Sequence, residues 1–259
     1  MTEDHKMPFT EHLAELRKRI LISLGVLLVF FILCFNYSEE IFRLLMFPMK
    51  NTISVIKEPP YIIIKSSNIK NQGLVFLGPA EAFWMHLKVS LIAGLILSLP
   101  VIFFQLWKFV SPGLLPKERR YIIPFVISAS GLFFVGAFFC FIIVLPFAIN
   151  FLLTYKTENL IPMISVGKYV DFCLKFILAF GAIFELPLII LFLSRMGIVK
   201  PETLARQRKY AILGAFVVAA ILTPTPDAFN QTLMAVPIIL LYEVGILVSR
   251  IFVKRKKDG

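Results

Sequence analysis

Residues 121–155 carry no charged side chain, and the run is well beyond the ~20 apolar residues that a helix needs to cross a bilayer. Inside lipid every backbone N–H and C=O must be satisfied within the segment, so such a run is read as a transmembrane α-helix. Comparable runs recur on both sides of it. Apolar residues make up 58% of the chain, against roughly 45–50% in soluble domains. The predicted fold class is all-α, a polytopic membrane protein. Its 259 residues leave room for about six or seven spans and no sizeable soluble domain.

Taken in order, residues 1–19 predict an amphipathic lead-in on the membrane surface. Thr10 is placed to cap it, and Leu13, Leu16 and Ile20 form an apolar stripe opposite Glu11 and Glu15. Span one follows at 20–37. Residues 38–82 are polar and broken by Pro48, Pro59, Pro60 and Gly73, which predicts an external cap loop with a short strand or helix at 61–64. Span two is read at 83–107, with Pro100 inside and Trp84 and Trp107 as interfacial anchors. In the loop 108–120, Pro112, Gly113 and Pro116 forbid a continuous helix, and Glu118 sits among Lys117, Arg119 and Arg120. Span three is read at 121–146, with 147–155 too short to cross again and expected along the outer surface.

Span four lies between Lys175 and Arg195, and Glu185 is its central residue. After the loop 195–209, span five has only residues 210–222, or ~20 Å of helix against a ~30 Å hydrocarbon core. Span six is read at 232–249 with Glu243 inside, followed by the tail 250–259. Lys and Arg number four in 1–19, four in 108–120, five in 195–209 and five in the tail, eighteen of 27 in all. Those segments are therefore cytoplasmic, as are both termini. The net charge of +11 would direct a soluble protein to nucleic acid. Here the charges flank apolar runs, so they speak for topology and the anionic leaflet, and no nucleic-acid partner is expected.

Glu185 is the sharpest chemical signal. An ionisable residue at mid-bilayer costs about 2.5–3.5 kcal/mol on insertion scales and tends to face a bundle interior, a cavity or a partner. The plainer alternative is a protonated acid bonded to neighbouring backbone. Glu243, nearer a span end, fits a structural role. Glu15 has Arg19 four residues on as a partner, and charge balance alone accounts for Glu118. Together, two carboxylates on Arg- and Lys-rich segments make a candidate receptor for a cationic group. Catalytic signatures are missing: His5, His12 and His86 form no metal pair, and there is no GxSxG and no Gly-rich phosphate loop. Cys34, Cys140 and Cys173 lack CxxC spacing and are read as core residues. No catalytic residue, metal or cofactor is expected.

Four stretches in order, HLAELRKR at 12–19, FQLWKFVSPGLLPKERR at 104–120, AFGAIFELP at 179–187 and GAFVVAAILTPTPDAFNQTLMAVP at 214–237, resemble the TatC family. These are the signal-peptide receptors of the twin-arginine protein translocase. The resemblance implies a glove-shaped bundle of six transmembrane helices with short spans five and six, in the cytoplasmic membrane of a prokaryote. It implies that Glu15 and Glu118 contact the paired arginines of a cargo signal peptide, with Arg17 and Phe109 at matching positions of the same surface. By the same resemblance Pro48 belongs to the external cap and Glu185 is an intramembrane polar site. Thr223 and Gln231 match a patch where single-span TatA or TatB proteins dock. Self-association is also implied. The competing reading is an ion- or proton-coupled secondary transporter that uses Glu185, against which the absence of an internal repeat counts.

The charge asymmetry predicts a labelling pattern. In a cysteine-free background, an impermeant maleimide applied from outside should label a cysteine in place of Asn71 and spare one in place of Arg206. Labelling of both would overturn the map.

Overall fold

The computed structural model describes residues 9–55, 62–66, 74–111, 122–154, 163–223 and 227–254. Glu118, the prolines of its loop and the end of the basic tail lie outside those residues. In chain order the elements are α1 (Phe9–Asn36), α2 (Ser38–Leu45), α3 (Phe47–Lys50), strands β1 (Asn51–Val55) and β2 (Ile62–Ser66), and α4 (Glu81–Val110). They continue with α5 (Ile122–Thr154), α6 (Val166–Phe184), α7 (Leu186–Arg195), α8 (Pro201–Arg206), α9 (Arg208–Leu222) and α10 (Ala228–Lys254). Five segments among the described residues are long and apolar enough to cross a membrane, with α6 and α7 forming one of them. Helix α9 has 15 residues, about 22 Å at 1.5 Å per residue; it corresponds to the expected short span five and is not among those five segments. Helix α10 extends past the expected 232–249 at both ends.

The chain divides into two compact units, Met1–Ile41 with His86–Gly131, and Phe42–Met85 with Leu132–Gly259. In the first, the lead-in and span one are a single 28-residue helix. It begins at Phe9, so Thr10 lies inside the helix rather than at its cap. Of the predicted apolar stripe, Leu13 is 47% and Ile20 49% exposed, while Leu16 is half-buried. The Glu15 side chain is only 19% exposed and faces α4. Outward apolar side chains are what a helix lying against lipid presents, while polar ones gain by pairing within the protein. Helices α1 and α4 approach closely at Gly94, where a Cβ would lie 2.8 Å from the Phe31 nitrogen. Trp107, expected as an interfacial anchor, is instead buried with its ring 4.2 Å from that of Phe125.

The second unit holds the cap. Strands β1 and β2 pair antiparallel from Asn51↔Ser66 to Val55↔Ile62, giving the loop a hairpin. Pro48 is fully buried, and the Tyr169 hydroxyl donates to the Leu45 carbonyl at 2.7 Å. Residues 147–154, expected on the outer surface, instead continue α5 through Pro146, with Ala148 and Ile149 buried. The segment Cys140–Val144 is a π-turn. A proline has no N–H and its ring clashes with the carbonyl four residues back. Widening the turn just before it relieves that clash without ending the helix. Helices α5 and α6 meet at Gly136, where a Cβ would stand 2.7 Å from the Phe180 carbonyl oxygen. Glu243 has the structural role expected of it, taking a bidentate pair from Arg208 at 2.6 and 2.9 Å. Cys34, Cys140 and Cys173 are free and buried.

Gly94→Val should lower stability by about 1–3 kcal/mol through overpacking, read as a drop in the detergent unfolding midpoint. Gly131 has open space at its Cβ position, so Gly131→Ala should leave the midpoint unchanged or slightly raised. Equal effects at the two positions would contradict a close α1–α4 contact.

Candidate functional site

Positions 12, 15 and 19 recur at helical spacing on one face of α1. The His12 imidazole stacks on Phe109 of α4, ring centroids 4.4 Å apart and planes 20° from parallel. Farther along the same pair of helices, Arg19 Nη2 donates to Glu15 Oε1 at 2.9 Å and Arg19 Nη1 donates to Gln105 Oε1 at 3.2 Å. Arg19 is 15% exposed along its side chain, and its Nε is buried with no hydrogen-bond partner among the described residues. Partial burial screens the attraction of this pair less than at the surface but also raises its desolvation cost. An ionised carboxylate offers about four lone-pair sites. Among the described residues Glu15 fills one of them, with Arg19.

Beside the pair lies an apolar groove of about 260 Å³ between α1 and α4, whose walls include Leu16, Ile20, Leu24, Ile102, Leu106 and Phe109. An acid with open acceptor sites next to an apolar trough suits a ligand that carries a cation and then an apolar stretch. Of the residues predicted for this surface, Glu15 and Phe109 flank the same stretch of α1 and α4, and Arg17 is solvent-exposed. Glu118 lies outside the described residues.

In the second unit, Glu185 stands at the junction of α6 and α7. Pro187 has no N–H to return to the Ile183 carbonyl, which breaks the helix there. The Glu185 N–H donates to Ala182 and its carbonyl accepts from Ile189 at 2.9 Å. Its Oε1 is buried without a hydrogen-bond partner among the described residues. Thr223 and Gln231 both bond back to α9. The Thr223 hydroxyl donates to the Ala219 carbonyl at 2.8 Å, and Gln231 Nε2 donates to the Phe216 carbonyl at 3.1 Å. Gln231 thereby ties α10 to the short span.

Two members of the first site were not singled out from sequence. Gln105 is a lone amide in an apolar span, a signal of the same kind as Glu185, and His12 is one turn from Glu15 on the same face. Glu81 accepts from the Leu77 N–H at 2.6 Å, from the Gly167 N–H at 2.7 Å and from the Ser165 hydroxyl. It clasps the start of α4 to the start of α6.

Comparison with known proteins gives one consistent result. The family model described as Sec-independent protein translocase protein (TatC) matches residues 11–237. The TatC of Desulforapulum autotrophicum is 42% identical over 254 residues, 98% of this chain and 88% of that protein. The TatC of Escherichia coli is 34% identical over 258 residues, 100% of this chain and 94% of its own. A crystal structure described as the twin arginine translocase receptor TatC superposes with a TM-score of 0.75 at 37% identity, covering 93% of this chain and 98% of that one.

A buried carboxyl oxygen without a partner costs stability, about 1–3 kcal/mol for a typical polar group. Glu185→Met keeps the volume and removes that cost, so it should unfold at a higher temperature than the wild type, whereas Glu185→Ala, which opens a cavity, should not. A wild type more stable than the Met variant would mean that the carboxyl is fully satisfied.

Proposed function

The chain belongs to the TatC family of Sec-independent protein translocases, and we propose that it acts as the receptor of that translocase, reading twin-arginine signal peptides through Glu15. As a family member it is a multi-pass protein of the bacterial inner membrane, a component of protein transport rather than an enzyme. The observation that carries the receptor reading is the Glu15 carboxylate, little exposed yet with acceptor sites to spare, beside an apolar groove. Secretory leaders present a basic region followed by an apolar stretch of 7–15 residues. The acid matches the first and the groove the second. Arginine suits the acid better than lysine, because its planar fork can bond a carboxylate through two N–H groups.

In this reading both termini and the loops 108–120 and 195–209 face the cytoplasm, and residues 38–82 with Pro48 form the external cap. Glu118 joins Glu15 on the cargo arginines, with Arg17 and Phe109 completing the surface. The α9–α10 hairpin with Thr223 and Gln231 receives a single-span TatA or TatB helix, since a short span leaves neighbouring polar groups to be covered by a partner. Glu185 meets a partner or a polar cavity within the membrane, and copies of the chain self-associate around folded cargo. The ion-coupled transporter reading of Glu185 gives way, because the relatives are translocase proteins.

Removing one charged hydrogen bond of ~1.5–3 kcal/mol corresponds to roughly a ten- to hundredfold loss of affinity. Glu15→Gln and Glu118→Gln should each weaken binding of a purified twin-arginine peptide by that order, and a double-mutant cycle against the peptide arginines should show coupling. Additive losses at both acids would send the search for the receptor surface elsewhere.

A further inference from the structure

Glu15 is an acid with a resident cation. Arg19 occupies its Oε1 at 2.9 Å and is itself anchored across the helix pair by Gln105, which is 9% exposed. We propose that Arg19, held in place by Gln105, determines the site's preference for arginine over lysine: it cancels the charge of Glu15 and leaves hydrogen-bond geometry as the property that is read. The inference rests on the reading of Glu15 as the receptor carboxylate.

A bare, partly buried carboxylate would attract any cation, and an ammonium ion would satisfy it nearly as well as a guanidinium. With Arg19 in contact the pair is neutral overall, while Arg17 and Lys18 on the same helix and Lys108 on α4 add positive charge to these two helices. Net attraction for an incoming point charge is then small or negative. A lysine ammonium, compact and strongly hydrated, gains little by leaving water for such a site. An arginine can still place directional N–H groups on the remaining lone pairs of Glu15. The neutralising charge is not free to swing away when cargo arrives. Nη1 is tethered to α4 through Gln105, and Nε is packed out of reach of water. Specificity of this kind comes from disfavouring the wrong ligand as much as from holding the right one.

The test measures binding of a twin-arginine peptide and of its twin-lysine version to the full-length protein in detergent. Arg19→Gln keeps an N–H donor and removes the charge. It should tighten twin-lysine binding more than twin-arginine binding, so that the preference falls roughly tenfold, about the worth of one charged hydrogen bond. Arg19→Lys restores the charge and should retain most of the preference. In a Glu15→Gln background, Arg19→Gln should leave the preference unmoved. Should Arg19→Gln fold poorly, Gln105→Leu loosens the same guanidinium and should lower the preference in the same direction. Equal losses for both peptides would make Arg19 a structural prop and overturn the proposal, as would a fall in preference that persists without the Glu15 carboxylate. If Glu15→Gln alone leaves twin-arginine binding intact, the receptor reading itself fails, and that result is distinguishable because it involves no change at Arg19.

Discussion

Within a bilayer a polar group must find its partner inside the protein, because lipid offers none. That constraint orders the described structure. It returns the Thr223 hydroxyl and the Gln231 amide to carbonyls of α9, and draws Arg19 onto both Glu15 and Gln105. Among the described residues the rule is incompletely met at Glu185 Oε1, at Arg19 Nε and at the hydroxyls of Ser130 and Ser194, and Glu15 keeps spare acceptor sites. In a membrane protein, such unmet capacity is where a partner or ligand is expected.

The spans were largely legible because hydrophobic runs of bilayer length have one local solution. The short α9 could be read from the residues between Lys209 and Pro224. Helix continuation past Pro146 could not. It depends on a π-turn that absorbs the ring, a local geometry that apolar periodicity does not encode. The exposed Leu13 and Ile20 of α1 fit an apolar stripe meant for lipid, but the pairing of Glu15 with an Arg19 that reaches Gln105 of α4 could not be read from α1 alone. Trp107 illustrates the same limit, since a tryptophan near a span end is equally at home at an interface and against Phe125.

The candidate site was legible in part. Glu15 and Phe109 stood out through their motifs, whereas His12 and Gln105 acquire meaning only when α1 and α4 are laid side by side. Their contacts join positions nearly a hundred residues apart, and the close approach at Gly94 that permits them is a property of two backbones. Sequence spacing along one helix gives a face. It does not give what that face meets. The pairing of an anchored guanidinium with a receptor carboxylate is the consequence with the most functional weight, because it turns an acid that would attract cations generally into one that reads their shape.

The account's central claim is that a signal peptide's cation meets Glu15 while its apolar stretch enters the groove between α1 and α4. Photocrosslinking tests this most directly. A photoreactive residue in place of Leu106, on the groove wall, should form adducts with peptide residues that immediately follow the arginine pair. One in place of Leu21, 57% exposed and not among the groove's residues, should form few or none. Adducts from Leu21 equal to or exceeding those from Leu106 would contradict it.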